Sequence, residues 1–197
     1  MFLGFQLPFM QQINGVSVIA TQMIQIVNLF NPSLAIYVPI ISTTLQNLST
    51  IAAIFALSKF GRRPILLLGN FGLAFLDILL AILFLFSYWK PAITLSIVLF
   101  TLFLMIFGFT VGPLVWLYVP EIIPADVVPF ATFLNWLACT IGIVITPVLI
   151  HAAGSPYPVF FIFGGISMIL FVLNYIYVVE TRGLTPSEIN AKFVKND

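Results

Sequence analysis

Charge is what this sequence has least of. Asp, Glu, Lys and Arg make up 7% of its 197 residues, against about 25% in ordinary soluble domains, and the net charge is +1. That scarcity excludes a soluble domain of this size and leaves no basic surface for nucleic acid. Histidine and cysteine occur once each, so no Cys/His metal cluster and no internal disulfide can form. Cys139 lies in an apolar stretch and reads as a small buried hydrophobe rather than a reactive thiol. Neither a G-x-x-x-x-G-K phosphate loop nor an H-E-x-x-H pair occurs. No cofactor is expected, and the chemistry to look for is not catalysis.

What remains is apolar: 61% hydrophobic residues and a mean hydropathy of +1.18. Runs of about 20 apolar residues span a bilayer as helices. Six are expected, at Leu3–Leu29, Leu34–Leu57, Ile65–Tyr88, Ala92–Tyr118, Val128–Ala152 and Val159–Val179. The fold class is therefore all-α integral membrane, with six transmembrane helices. The breaks at Asn31-Pro32-Ser33, Lys59–Pro64, Trp89-Lys90-Pro91, Pro120–Asp126 and Gly154–Pro158 are short, so consecutive helices run antiparallel. The first run carries no basic n-region and no short cleavable core, and is expected to act as its own signal. After the sixth helix, Thr185-Pro186-Ser187-Glu188 reads as the start of a short tail helix.

Basic residues set the orientation. Lys59, Arg62, Arg63, Arg182, Lys192 and Lys195 fall on one side and only Lys90 on the other. This predicts a multi-pass protein with both termini cytoplasmic. Tyr88, Trp89, Tyr118 and Tyr157, near helix ends, read as interface anchors.

Polar residues inside these runs carry the functional signal. Between Met1 and Phe30 there is no charge, yet Gln11, Gln12, Asn14, Ser17, Thr21, Gln22 and Gln25 interrupt the apolar run. Each such group facing lipid unsatisfied costs several kcal/mol, on the order of 2–7. Positions 11, 14, 21 and 25 follow a period of about 3.6 and are expected to share one face, turned to protein, water or a polar ligand. The second helix places Thr43, Asn47 and Thr50 on one face, beside Gln46. Amides offer a paired donor and acceptor, matching the hydroxyls of a sugar or other polyol; the alternative is hydrogen bonding between helices. The fourth helix holds Gly108, Gly112, Pro113 and Trp116, where proline frees a carbonyl and the indole ring forms either a platform for a sugar's C–H face or an ordinary packing contact. The fifth adds Asn135-Trp136. Asp77, an acid deep inside the third helix, is either a proton or cation coupling site or a neutral structural group, with Asn70 as its partner. His151 reads as interfacial.

These stretches resemble the sugar porters of the major facilitator superfamily. Gln11-Gln12-Ile13-Asn14-Gly15 is similar to the opening of that family's seventh helix, and Gly61-Arg62-Arg63-Pro64 to its G-R-R-P loop. Gly112-Pro113 with Trp116, then Pro120-Glu121-Ile122-Ile123-Pro124, resembles its tenth helix, and Asn135-Trp136 its eleventh. Glu180-Thr181-Arg182-Gly183 with Thr185 and Glu188 resembles its tail. The resemblance implies a C-terminal six-helix half-bundle at 1–183, with a short cytoplasmic tail helix at 184–197. It implies a sugar substrate held by Gln11, Gln12, Asn135, Trp116 and Trp136, with Gly112 shaping the pocket and Gln46, Asn47 and Ser17 as further candidates. It also implies transport by alternating access, and a charge network of Arg62, Arg63, Glu121, Glu180 and Arg182 that latches one state; the alternative for these charges is plain topology. Ser17 stands where the family usually has asparagine, Gly108 where it often has glutamate, and Val179 where the tail has proline. The expected partners, besides the lipid bilayer, are a missing N-terminal six-helix half or a second copy of the chain. A fragment or truncated copy is favoured over a dimerising half-transporter or a degenerate paralogue. Rival functions are transport of another organic solute or phosphate, and a non-transporting sugar sensor.

Overall fold

In a computed structural model the chain is all-helical, and residues 2–30, 32–86 and 88–194 are described. Asn31, within the first expected break, and Lys195, counted in the basic tail, lie outside them. Nine α-helices are formed among the described residues: α1 Phe2–Ile13, α2 Val16–Phe30, α3 Tyr37–Phe60, α4 Arg62–Leu85, α5 Lys90–Phe109, α6 Val111–Ile122, α7 Val128–Ala153, α8 Tyr157–Tyr177 and α9 Pro186–Val194. Five stretches are long and apolar enough to cross a membrane, with α5 and α6 counted together. The sixth crossing is α1 followed by α2, whose 12 and 15 residues make about 40 Å of helix at about 1.5 Å per residue.

Two of the six expected spans are therefore broken, each for a local reason. Between α1 and α2, Gly15 adopts φ +84, a conformation that disfavours any side chain, and its hydrogen faces the Phe163 ring of α8, 2.8 Å from where a Cβ would stand. Asn14 Oδ1 accepts the N–H of Val16 at 3.2 Å and so helps start α2. The break rotates the second segment relative to the first. Gln11 and Asn14 are buried, whereas Thr21 and Gln25 are exposed, so the expected single polar face does not persist past Gly15. Between α5 and α6, Pro113 has no N–H for the carbonyl four residues back, and the chain turns at Thr110 (φ −123, ψ −92).

Helices α4 and α8, α3 and α5, and α1 and α7 are the most extensively packed pairs. Leu66, Leu73 and Leu80 recur every two turns along α4 and are fully buried. At one end Phe84, Phe100 and Phe160 form an aromatic cluster with centroids 5.3–6.0 Å apart. By contrast, α3 and α7 leave most of their side chains uncovered. Only Gly61 separates α3 from α4, a tighter connection than the expected Lys59–Pro64 loop. Tyr118, expected at the interface, is instead fully buried: its hydroxyl donates to the Val179 carbonyl at 2.8 Å and accepts the Val179 N–H at 3.2 Å. A proline at 179 would have no N–H to give.

Candidate functional site

The end of α1, just before the first break, meets the start of α6, just after the second, and the cleft beside this contact is where the candidate residues gather. Gln11, in the last turn of α1, sends its Nε2 to the Gly112 carbonyl (2.8 Å) and the Val111 carbonyl (3.3 Å) at the start of α6. Asn135, buried on α7, donates through Nδ2 to Gln11 Oε1 at 2.8 Å and to the Pro8 carbonyl at 2.7 Å. Gln12 Nε2 donates to Asn135 Oδ1 at 3.2 Å. These amides are thus satisfied against one another and against the Pro8, Val111 and Gly112 carbonyls, as the low dielectric of a membrane interior requires.

These side chains line an open cleft of about 410 Å³, together with Gln46, Thr50, Phe107, Gly108, Gly112, Pro113, Trp116 and Trp136. Trp136 is 62% exposed and Trp116 38%, so both present part of their surface at the cleft. Gly108 is what lets α3 reach this cleft. A Cβ there would stand 2.6 Å from the Gln46 carbonyl and 2.9 Å from Thr50 Oγ1, so no glutamate fits without moving α3 away. Of the two neighbouring amides on α3, Gln46 lines the cleft, and Asn47 is exposed and does not.

Ser17 is not among the lining residues. Its hydroxyl donates to Gln12 Oε1, and Cys139 Sγ donates in turn to Ser17 Oγ at 3.3 Å. Cys139 is half-buried and hydrogen-bonded, which corrects its reading as a plain buried hydrophobe. Asp77 also lies away from the cleft, fully buried on α4, and neither carboxylate oxygen has a hydrogen-bond partner. Asn70 Nδ2 is equally unpartnered, so Asn70 does not serve as the expected mate of Asp77.

At the Gly61 end, the five expected charged residues do converge. Arg62 Nη2 pairs with Glu121 Oε1 at 2.9 Å, and Thr181 Oγ1 donates to Glu121 Oε2 at 2.6 Å. The Glu180 carboxylate sits on the N-terminus of α4, where Oε1 accepts the Arg62 N–H (2.9 Å) and Oε2 the Arg63 N–H (3.0 Å). The Arg182 N–H adds a third bond at 2.9 Å. Burial pushes the Glu180 carboxyl up, but the N–H groups of Arg62, Arg182 and Arg63 and the Arg62 charge outweigh it and hold it below its ordinary value. Arg63 and Arg182 bond the Tyr175 carbonyl (2.9 Å) and the Lys59 carbonyl (2.6 Å) rather than carboxylates. The cluster is thus largely a set of helix caps with one ion pair, which charge pattern alone does not reveal. The tail helix α9 begins on a capping box, with the Thr185 N–H on Glu188 Oε2 at 2.7 Å and the Glu188 N–H on Thr185 Oγ1 at 3.4 Å.

Six membrane crossings, two of them broken around an amide-lined cleft, define a polytopic half-bundle of the major facilitator kind. The fold matches the proton:xylose symporter XylE bound to 6-bromo-6-deoxy-D-glucose with a TM-score of 0.86 at 22% identity, covering 98% of this chain and 42% of that one. The inward-open form of the xylose transporter XylE from E. coli matches at 0.72, also at 22% identity, over 97% of this chain and 41% of that one. The chain belongs to the sugar (and other) transporter family, whose model matches residues 1–193. Similar proteins include the glucose transporter GlcP of Staphylococcus epidermidis, 33% identical over 74% of this chain and 33% of its own length. Hexose transporter 1 of Plasmodium vivax is 31% identical over 92% of this chain and 37% of its own. The high glucose sensor RGT2 of Saccharomyces cerevisiae is 29% identical over 98% of this chain and 27% of its own. The chain therefore spans about a third of the length of these relatives.

Proposed function

We propose that this chain forms the C-terminal half of a sugar porter that carries a hexose or similar polyol across a membrane by alternating access. The observation that carries this reading is the cleft. Its volume of about 410 Å³ falls in the range of small-molecule sites, roughly 300–1,000 Å³. The half-buried amides of Gln12 and Gln46 offer hydrogen bonds to hydroxyl groups, with Gln12 held by Asn135 and Asn135 by Gln11. Trp116 and Trp136 offer ring surface to C–H faces, and Gly112, where a Cβ would stand 3.0 Å from the Phe107 ring and carbonyl, lets α6 close on Phe107 beside the cleft.

The uncovered faces of α3 and α7 and the chain's one-third span of its relatives support a complementary six-helix half across the cleft, in the same polypeptide or as a second chain. Rocking of the two halves about the cleft would then expose it to each side in turn. The Arg62–Glu121 pair and the Glu180 cap lie at the end where such rocking would open or close a cytoplasmic gate. With that end and α9 cytoplasmic, both termini lie inside, as the basic residues favour.

Equilibrium binding of radiolabelled D-glucose to the purified protein in nanodiscs tests the cleft. Gln11→Ala and Trp116→Ala are each expected to weaken binding at least about tenfold, the loss of roughly 1.4 kcal/mol. Undiminished binding in both variants would remove the cleft from the account.

A further inference from the structure

We propose that Ser17 and Cys139 are positioning residues that lock the amide of Gln12 in one orientation within the cleft, and so fix what the cleft offers a ligand. This inference rests on the sugar reading above.

Atoms that can only accept set the polarity of these amides. The carbonyls of Val111, Gly112 and Pro8 have no proton, so whatever bonds them must donate. Gln11 therefore turns its Nε2 to Gly112 and Val111, at 2.8 and 3.3 Å, which aims Oε1 at Asn135. Asn135 must then present Nδ2, at 2.8 Å, and the Pro8 carbonyl at 2.7 Å demands the same. That leaves Asn135 Oδ1 facing Gln12, which must present Nε2, at 3.2 Å. Gln12 Oε1 is consequently the atom that needs a donor, and the Ser17 hydroxyl supplies it. Its proton spent, Ser17 Oγ accepts the Cys139 thiol proton at 3.3 Å. The chain of donors runs in one direction from Cys139 to the carbonyls at the start of α6.

The break at Gly15 makes this contact. Residues five apart on an unbroken helix lie about 140° apart around its axis and do not face each other. Here the turn at Gly15 carries Ser17 back over Gln12. Neither Ser17 nor Cys139 lines the cleft, so both act through Gln12. With the chain in this polarity, the second Nε2 proton of half-buried Gln12 and the remaining lone pair of its Oε1 are what a ligand hydroxyl meets. A reversed Gln12 amide would set two oxygens against each other at Asn135.

Tryptophan fluorescence of the nanodisc-embedded protein, titrated with D-glucose, reads the consequence, since Trp116 and Trp136 line the cleft. Ser17→Ala is expected to weaken half-saturation about 3- to 10-fold and Cys139→Ala about 2- to 3-fold, the worth of one hydrogen bond and of one weak one. Ser17→Thr and Cys139→Ser, which keep the donor, are expected to stay within about 2-fold of the native protein. Maleimide labelling of Cys139 is expected to quicken in Ser17→Ala, which lacks the acceptor of its thiol, with or without sugar. Native-like affinity in Ser17→Ala, or Cys139→Ser binding as poorly as Cys139→Ala, would overturn the inference while leaving the sugar reading intact. If no hexose or similar polyol changes the fluorescence of the native chain joined to its complementary half, the sugar reading fails and the inference with it.

Discussion

Gly61→Ala is a single methyl group with two separable costs. Gly61 sits at φ +88, ψ −179, a region of backbone space open essentially to glycine alone, and an alanine forced there costs about 1–3 kcal/mol. Its Cβ would also stand 2.5 Å from Glu180 Oε2 and 2.7 Å from Glu180 Cδ. The carboxylate must therefore retreat from the Arg62 and Arg63 N–H groups. Losing one charge-assisted bond there costs roughly 1.5–3 kcal/mol. Together the change is expected to cost about 4 kcal/mol, which lowers Tm by about 8–16 °C for a chain of this size. Thermal unfolding in detergent, followed by intrinsic fluorescence, measures it. Gly154→Ala is the control, because Gly154 is also left-handed (φ +69) but nothing lies within 4 Å of a Cβ there. It reports strain alone, about 1 kcal/mol and ~2–4 °C. A second control is Glu180→Gln, in which the cap is already weakened, so that adding Gly61→Ala should cost less than it does alone. If Gly61→Ala loses no more than Gly154→Ala, or adds fully to Glu180→Gln, then Gly61 does not serve the Glu180 cap and the reasoning fails.

Three further outcomes follow from the same geometry. Glu180 is held below its ordinary value in the folded chain, so its stabilisation is fully present above the unfolded-state value of about 4.3 and is lost as pH falls through the folded one. Melting temperature is expected to hold from neutral pH to about 5 and drop below it, and Glu180→Gln should flatten that drop. Tyr118→Phe strands the buried Val179 N–H and carbonyl at once and is expected to cost about 1–3 kcal/mol in chemical denaturation; an unchanged midpoint would contradict the burial assigned to it. Asp77 lies outside the cleft, so Asp77→Asn is expected to leave the pH profile of sugar uptake unchanged, whereas a shifted profile would make Asp77 a coupling group.

Much of this was legible in the sequence because the bilayer imposes a length scale. The crossings ending at Leu85, Ala153 and Tyr177 fall within a few residues of the apolar runs that announced them. The polar cleft was legible for a related reason. Gln11, Gln12, Gln46 and Asn135 have no place on a lipid-facing surface, so they had to meet something: Gln11, Gln12 and Asn135 bond one another, and Gln46 lines the same cleft. What pattern could not give is the effect of one backbone angle. Gly15 at φ +84 ends the helical period, so Thr21 and Gln25 do not continue the face begun by Gln11, and Ser17 swings behind Gln12. Tyr118 looked like an interface anchor because hydropathy records position along a span, not the direction a side chain takes. Cys139 gave no signal because its role depends on a hydroxyl 122 positions away in the chain. Glu180 was recognisable as part of a charge cluster, but its bonds go to backbone N–H groups, and charge patterns do not contain those.

Sugar uptake tests the central claim most directly. The polypeptide that joins this chain to a complementary six-helix half would be expressed in a cell lacking its own hexose uptake and supplied with radiolabelled D-glucose. Saturable uptake, competed by unlabelled D-glucose but not by L-glucose, and lost in Gln11→Ala, is the expected result. Saturable uptake that Gln11→Ala leaves untouched would contradict the account, because the solute would then be passing without the amide that ties the two broken helices together.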